Sequence, residues 1–364
     1  MIIKNLRLHN FRNYEKTEIV LDPGMNLITG DNAQGKTNLL ESMVCLSLTR
    51  SHRLNSDQSL IRNGTDYAEI GCIFEDGTDK RIDILIHPEG KTLLVRKQPV
   101  KRNSEFIGLL NVILFSPDDM GIFSDAPKER RKILNQEITK VSSQYLAALS
   151  KYNALLKDRN ILLKQEEPDI RYLDILDEQI IGVSRIIIEE RRKFISEINR
   201  HMPGIFQRLS GTDLKGTIRY HSVIDAESND IENELRMLYM NLRLRDLEYH
   251  VTGNGIHRED IEFDLNDQNV IYTASQGQKR MILLAFKLSL MKFAESKSGK
   301  VPVLLLDDVL SELDMTRQKR LIQEIYGKCQ SIITSTDRPE FLKDYPVREF
   351  RITNGIVTEY NGGK

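Results

Sequence analysis

Cysteine is scarce, charge is balanced and long apolar runs are missing; each shortage removes a class of protein. The 364 residues include three cysteines (Cys45, Cys72 and Cys329), far apart, odd in number and without a C-x-x-C pair. That excludes a disulfide-stapled scaffold. Cys45 and Cys72, set among apolar neighbours, read as small buried residues of a reduced, cytosolic protein. Lys plus Arg number 52 against 53 Asp plus Glu, a formal net charge of −1. Such a chain does not coat nucleic acid non-specifically, so any DNA site must be a local patch. No apolar run approaches the roughly 18 residues that span a bilayer, and the opening Met1-Ile2-Ile3-Lys4 is no signal peptide. A soluble cytoplasmic protein with no membrane partner is expected. Internal repeats and low-complexity segments are also missing.

What is present is a phosphate-binding loop. Gly30-Asp31-Asn32-Ala33-Gln34-Gly35-Lys36-Thr37 fits G-x-x-x-x-G-K-[ST] at every position, behind the apolar run 25–28 and ahead of a helix-like stretch, 38–48. Backbone N–H groups of such a loop curl around phosphate oxygens at the positive end of a helix. Lys36 would reach the β- and γ-phosphates of ATP, and Thr37 would place its hydroxyl on Mg²⁺. Far downstream the apolar run 303–306 ends in Asp307 and Asp308. Asp307 suits Mg²⁺, and Asp308 is placed to orient or deprotonate an attacking water. No other set of His, Cys or carboxylates shows metal-ligand spacing. Between these two halves lies Ser275-Gln276-Gly277-Gln278, which offers a hydroxyl and exposed N–H groups at a helix start. A one-subunit nucleotide site has no use for this second anion-binding surface. Two copies facing head to tail across ATP do, with Ser275, Gly277 and Gln278 presented to the partner's γ-phosphate.

Length allows two or three domains. The fold expected is α/β: an ATPase head of residues 1–125 and 249–364, interrupted by a helical arm, 126–248. Strands are expected at 2–9, 17–21, 25–29, 68–74, 81–87, 91–96 and 112–115, a P-loop core sheet beside an antiparallel β subdomain. Ser124 or Asp125 can cap a helix that Pro127 opens. Apolar residues then recur at three–four spacing from Ile138 to Leu156 and from Leu173 to Ile198, with Pro168-Asp169 between them. This reads as an antiparallel coiled-coil hairpin, about 38 residues or some 57 Å long at ~1.5 Å per residue, with a further helix at 232–248. Asn354-Gly355 between alternating runs marks a hairpin.

These segments, in this order, resemble the heads of ABC-type ATPases in their SMC-like branch, and more closely the RecF family of bacterial recombination mediators. The resemblance covers nearly the whole chain. It rests on LHNFRNY (8–14), GDNAQGKTN (30–38), TRSHR (49–53), FSPDD (115–119), KERRKILN (128–135), GIHRED (255–260), SQGQ and LLLDDVLSELD (304–314). It implies that Arg12 and Asn13 approach the nucleotide and that 311–314 lines a dimer interface. It further implies a weak ATPase used as a switch, an ATP-dependent homodimer and binding to duplex and gapped DNA without base specificity. The partners implied are RecR and RecO, in loading RecA.

Several residues depart from the common ABC pattern. SQGQ stands where transporters have LSGGQ, which points away from transport, and Asp308 stands where most ABC ATPases have Glu. Thr336-Asp337 occupies the place of a switch His, and Ile256 stands where RecF-like sequences usually have Pro. A structural SMC-like tether and a transporter subunit are the alternative readings; the 164–169 tip carries no zinc hook. Basic clusters at Arg50/Arg53, Arg96/Lys97/Lys101/Arg102, Lys128/Arg130/Arg131/Lys132 and Arg191/Arg192/Lys193 read by themselves as solvated faces. His52 and His257, each beside Arg, read as solvated or hydrogen-bonded side chains.

Overall fold

The computed structural model describes residues 1–54, 56–124, 126–225 and 228–360. Asp125, one of the two candidate caps, lies outside the described residues. The chain forms two compact units. The first comprises Met1–Met120, Gly204–Asp213 and Ser275–Lys364; the second comprises Gly121–Pro203 and Leu214–Ala274. The divisions therefore fall at 121, 204, 214 and 275 rather than at 126 and 249.

In the first unit a parallel sheet runs in the order Val347–Thr353, Met25–Thr29, Ser331–Ser335, Val303–Leu306, Val112–Phe115, with Ile356–Glu359 added antiparallel at one edge. Strands Val303–Leu306 and Ser331–Ser335 are buried throughout; the first reads as an unbroken apolar run for that reason, while the second buries Ser331, Thr334 and Ser335 along with Ile332 and Ile333. A second sheet is antiparallel, in the order Tyr14–Val20, Ile2–Phe11, Ala68–Asp76, Thr78–His87, Gly90–Val95, Gln98–Pro99. Helix Lys36–Leu48 buries ten of its 13 residues, and its Leu39, Leu40 and Met43 share one core with Leu6 and Ile70 of the antiparallel sheet and Leu305 and Ile332 of the parallel one. Helix Gln276–Ser298 is likewise buried along its centre, as its apolar faces require.

The second unit departs further from the sequence pattern. The first apolar run is broken: Pro127–Thr139 and Ser143–Leu162 are separate helices. Ser142 starts the second by accepting the Tyr145 N–H (3.1 Å). The three–four spacing continues through this break, so sequence periodicity joined the two, and the 20-residue second helix accounts for about 30 Å at ~1.5 Å per residue rather than 57. Pro127 opens its helix as expected, but the cap position is Ala126, not Ser124. The long helix Ile170–Ser210 follows, and Ile231–Tyr249 packs with both. A three-stranded sheet (Gly216–His221, Asp260–Leu265, Gln268–Asn269) also belongs here: its first strand lies in the stretch expected to be helical, and the other two lie in residues expected to belong to the head. Alternating Thr217, Arg219 and His221 against Ile218 and Tyr220 was its signal.

Two of the family motifs meet inside this unit as a buried polar network. Arg191 donates to Tyr145, the Ile256 carbonyl, Asn135 and Glu259. Glu259 also accepts from Tyr220 and Ser222. Arg130 makes a two-pronged pair with Asp260 (2.6 and 2.9 Å), and Arg131 donates to the Glu259 carbonyl (2.7 Å). Nearby, Arg159 bridges Asp177 and Asp246 (both 2.7 Å) and Thr252 (2.8 Å). Charges this deep persist only when paired and hydrogen-bonded, which accounts for Arg130, Arg131 and Asn135 of the first motif and Glu259 and Asp260 of the second without invoking chemistry.

His257 sits beside this network. Its Nε2 faces the Thr252 carbonyl (3.2 Å), so Nδ1 accepts from the Tyr152 hydroxyl (2.7 Å). Burial lowers its pKa to about 4. Above pH 6.5 the ring is neutral in both folded and unfolded chains and contributes nothing. As pH falls from 6.5 towards 4 the unfolded chain takes up a proton that the folded unit refuses, and stability drops. The loss is complete below pH 4, on the order of 3 kcal/mol. Urea unfolding of this unit should therefore weaken more between pH 7 and 4.5 in wild type than in His257→Gln; equal pH slopes would contradict this.

Candidate functional site

The loop Gly30–Thr37 is held from two sides. From the turn after the first strand, Asn13 donates to the Gln34 carbonyl (2.8 Å) and accepts from Asn38 (2.9 Å), while the buried Tyr14 hydroxyl donates to the Gly35 carbonyl (2.8 Å). From the C-terminal hairpin, the Asn354 N–H donates to the Gln34 side chain (2.5 Å) and the Gly355 N–H to its carbonyl (3.2 Å). Gly35 has φ 117, and a Cβ there would lie 2.5 Å from the Asn13 amide nitrogen. Only glycine permits both that backbone and that approach.

Inside this frame is a cavity of about 290 Å³ lined by Asp31–Ala33, Gly35–Asn38, Arg53, Asp307 and Asp308. Lys36 Nζ donates to the carbonyls of Gly30 and Asp31, the latter at 3.0 Å, which turns the ammonium across the mouth of the loop. The Thr37 hydroxyl donates to Asp307 Oδ1 (3.2 Å). Two hard oxygen donors so close suit Mg²⁺, which takes one or two protein oxygens and fills the rest of its octahedron with water and phosphate.

Thr334, in the buried strand Ser331–Ser335, completes the arrangement. Its hydroxyl donates to Asp307 Oδ1 (2.8 Å) and accepts the Asp308 N–H (2.9 Å). Asp308 has φ 51, unusual for a residue with a side chain, and its Oδ1 is shielded from solvent with no hydrogen-bond partner among the described residues. A carboxylate oxygen held free in this way can accept from a water placed against a phosphate.

Ser275, Gly277 and Gln278 do not line this cavity. Ser275 caps helix Gln276–Ser298 in a reciprocal box: its N–H donates to the Gln278 side chain (2.8 Å), and its hydroxyl accepts the Gln278 N–H (3.3 Å). Ser275 is exposed and Gly277 half-buried. Arg280 on this helix pairs with Glu312 (3.0 Å), which ties it to the 311–314 segment.

Arg12, expected at the nucleotide, has another partner. Its guanidinium grips Glu41 with two 2.8 Å bonds and donates to the Ser59 carbonyl (2.9 Å). Burial opposes ionisation of Glu41, but hydrogen bonds from Arg12 and Ser51 outweigh it and hold the carboxyl below its usual range. His52 is neither solvated nor hydrogen-bonded at its ring nitrogens among the described residues, and burial lowers its pKa. Sequence reasoning missed Thr334, a hydroxyl in a buried strand, and gave Arg53 no place at the nucleotide cavity.

The RecF/RecN/SMC N terminal domain model matches residues 2–354. Among curated relatives, a "DNA replication and repair protein RecF" of Agathobacter rectalis is 41% identical over 94% of this chain and 94% of its own length. Another protein of that name, from Bacillus velezensis, is 35% identical over 99% and 100%. Among solved structures, that of the "recombination mediator protein RecF-ATP in RecFOR pathway" superposes with a TM-score of 0.90 at 32% identity, covering 99% of this chain and 97% of its own. The Smc head of Pyrococcus furiosus, at 19% identity and a TM-score of 0.59, shares the fold.

Thr334→Val removes the hydroxyl and little else. The Asp308 N–H and one Asp307 bond are then unpaired, at a cost of about 1–3 kcal/mol. Phosphate release from Mg-ATP should fall about 10-fold or more, while binding of a fluorescent ATP analogue without Mg²⁺ stays within about twofold. Unchanged turnover would remove Thr334 from the site.

Proposed function

Because this chain belongs to the RecF family within the RecF/RecN/SMC N-terminal domain proteins, we propose that ATP closes two copies of it at DNA and that hydrolysis releases them. The observation that carries this is the division of the site. The P-loop, Thr37, Asp307 and Asp308 meet in one cavity, whereas the exposed Ser275 cap stands outside the cavity of its own chain. A head-to-tail pair brings each Ser275 and its helix N-terminus to the γ-phosphate in the other copy.

In that pair Lys36 leaves the loop carbonyls for the β- and γ-phosphates, and the loop N–H groups hold the remaining oxygens. Mg²⁺, when bound between Thr37 and Asp307, supplies charge neutralisation on the phosphates. Asp308 orients the attacking water and accepts its proton. An Asp is one methylene shorter than the Glu of most ABC ATPases, which supports slow, switch-like turnover. The RecF relatives and the structure assigned to the RecFOR pathway support a role in DNA replication and recombinational repair. On that reading, the protein acts at gapped DNA with RecO and RecR to help load RecA.

The test is DNA affinity as a function of nucleotide. Asp308→Asn, which binds ATP without turning it over, should hold a labelled gapped duplex at least 10-fold more tightly with Mg-ATP than with Mg-ADP, read by fluorescence anisotropy. Lys36→Ala should show no such gain. Equal affinity in all nucleotide states would overturn the proposal.

A further inference from the structure

Four basic clusters stand out in the sequence, and the structure commits much of three of them elsewhere. Arg130 and Arg131 serve the buried network, and Lys132 pairs with Glu129 (3.4 Å). Arg191 is buried with Glu259, Arg192 donates to the carbonyls of Ser228 and Asp225 (2.7 and 2.6 Å), and Lys193 pairs with Glu190 (2.9 Å). Arg53 lines the nucleotide cavity. The remaining cluster is different. Arg96, Lys97, Lys101 and Arg102 are all exposed, and none has a side-chain hydrogen bond or ion pair among the described residues.

Their placement is specific. Val95 pairs with Gln98, so Arg96 and Lys97 are the two turn residues of a tight hairpin, both left-handed (φ 52 and 66). Such turns favour Asn-Gly, which has no charge to offer. The returning strand stays in register, with the Val100 N–H on the Leu93 carbonyl (2.9 Å), and leads directly to Lys101 and Arg102. Counted along the returning chain at ~3.3 Å per residue, Lys101 lies about 13 Å from Lys97, with Arg102 one residue further on. No carboxylate occurs between Gly90 and Ser104, and the intervening Gln98 and Pro99 are exposed. The ribbon and the bend that follows it thus carry two pairs of free cations at a backbone spacing comparable to the width of the major groove of duplex DNA.

We propose that this hairpin is a contact surface for the backbone of duplex DNA, with one cation pair on the phosphates at each side of a groove. The contact is to phosphate and carries no base preference. This inference rests on the DNA-binding function proposed above. Cations and proline on an edge strand also discourage edge-to-edge pairing, but the two-residue strand and Pro99 already do that.

The experiment uses the full chain with Asp308→Asn in Mg-ATP. To this parent are added Arg96→Gln, Lys97→Gln, Lys101→Gln and Arg102→Gln together. A control carries Lys151→Gln, Lys157→Gln, Lys164→Gln and Arg171→Gln, an equal charge change on exposed residues of the second unit. Anisotropy of labelled gapped duplexes of two unrelated sequences is measured from 50 to 200 mM salt, with solution mass to check that ATP still gives a dimer. The hairpin variant should bind both duplexes at least 10-fold more weakly, with a log–log salt slope shallower by about 3–4 per contacting copy. The control should stay within about threefold. Hairpin and control variants that bind equally would overturn the surface. So would parent protein that binds anionic phospholipid vesicles through this hairpin while the variant's DNA affinity stays at the parental value. A parent with no ATP-dependent DNA binding would overturn the functional reading itself.

Discussion

The register of three parallel strands sets the geometry of the site, because it brings the carboxyl ends of Met25–Thr29, Ser331–Ser335 and Val303–Leu306 to one edge of the sheet. Thr29 lies opposite Ser335, and Leu306 opposite Ile333. The next residues out are therefore the P-loop and Asp307, and Thr37 meets Asp307 although they are 270 positions apart in the chain. Ligands of open α/β sheets bind at that edge for the same reason. A slip of one residue in either pairing would turn Thr334 to the other face of the sheet and separate it from Asp307.

Around this edge the protein over-determines the loop. Asn13 and Tyr14 hold it from one side, through the carbonyls of Gln34 and Gly35, and the Asn354-Gly355 turn from the other, through the side chain and carbonyl of Gln34. The buried Glu41–Arg12 pair fixes the helix that follows. The result is a braced phosphate cradle in which the group that must move when a triphosphate arrives is Lys36, now turned onto the Gly30 and Asp31 carbonyls. The second unit, whose two segments alternate in sequence with the three of the first, has its own polar core around Arg191 and Arg159.

Where grouping depends on short spacing the sequence was readable: the loop Gly30–Thr37, the strand end at Asp307–Asp308 and the helix start at Ser275 are all local patterns. The parallel and antiparallel strands of the first unit were readable too, from apolar runs and alternation. What escaped was long-range. Thr334 looks like any residue of a buried strand until Asp307 is beside it. Arg191 and Glu259 look solvated until folding pairs them, and Arg12 acquires Glu41 only across the helix. The break at Ser142 was hidden because apolar spacing runs through it. The small sheet in the second unit was hidden by the long helices on either side.

In the proposed function each site is completed by a second copy of the chain. Solution mass by light scattering of Asp308→Asn, with and without Mg-ATP, tests this most directly. A monomer that becomes a dimer only with ATP, and no longer does so when Ser275→Arg is added, is the predicted result. A mass that ATP does not change, or a dimer indifferent to Ser275→Arg, would contradict it.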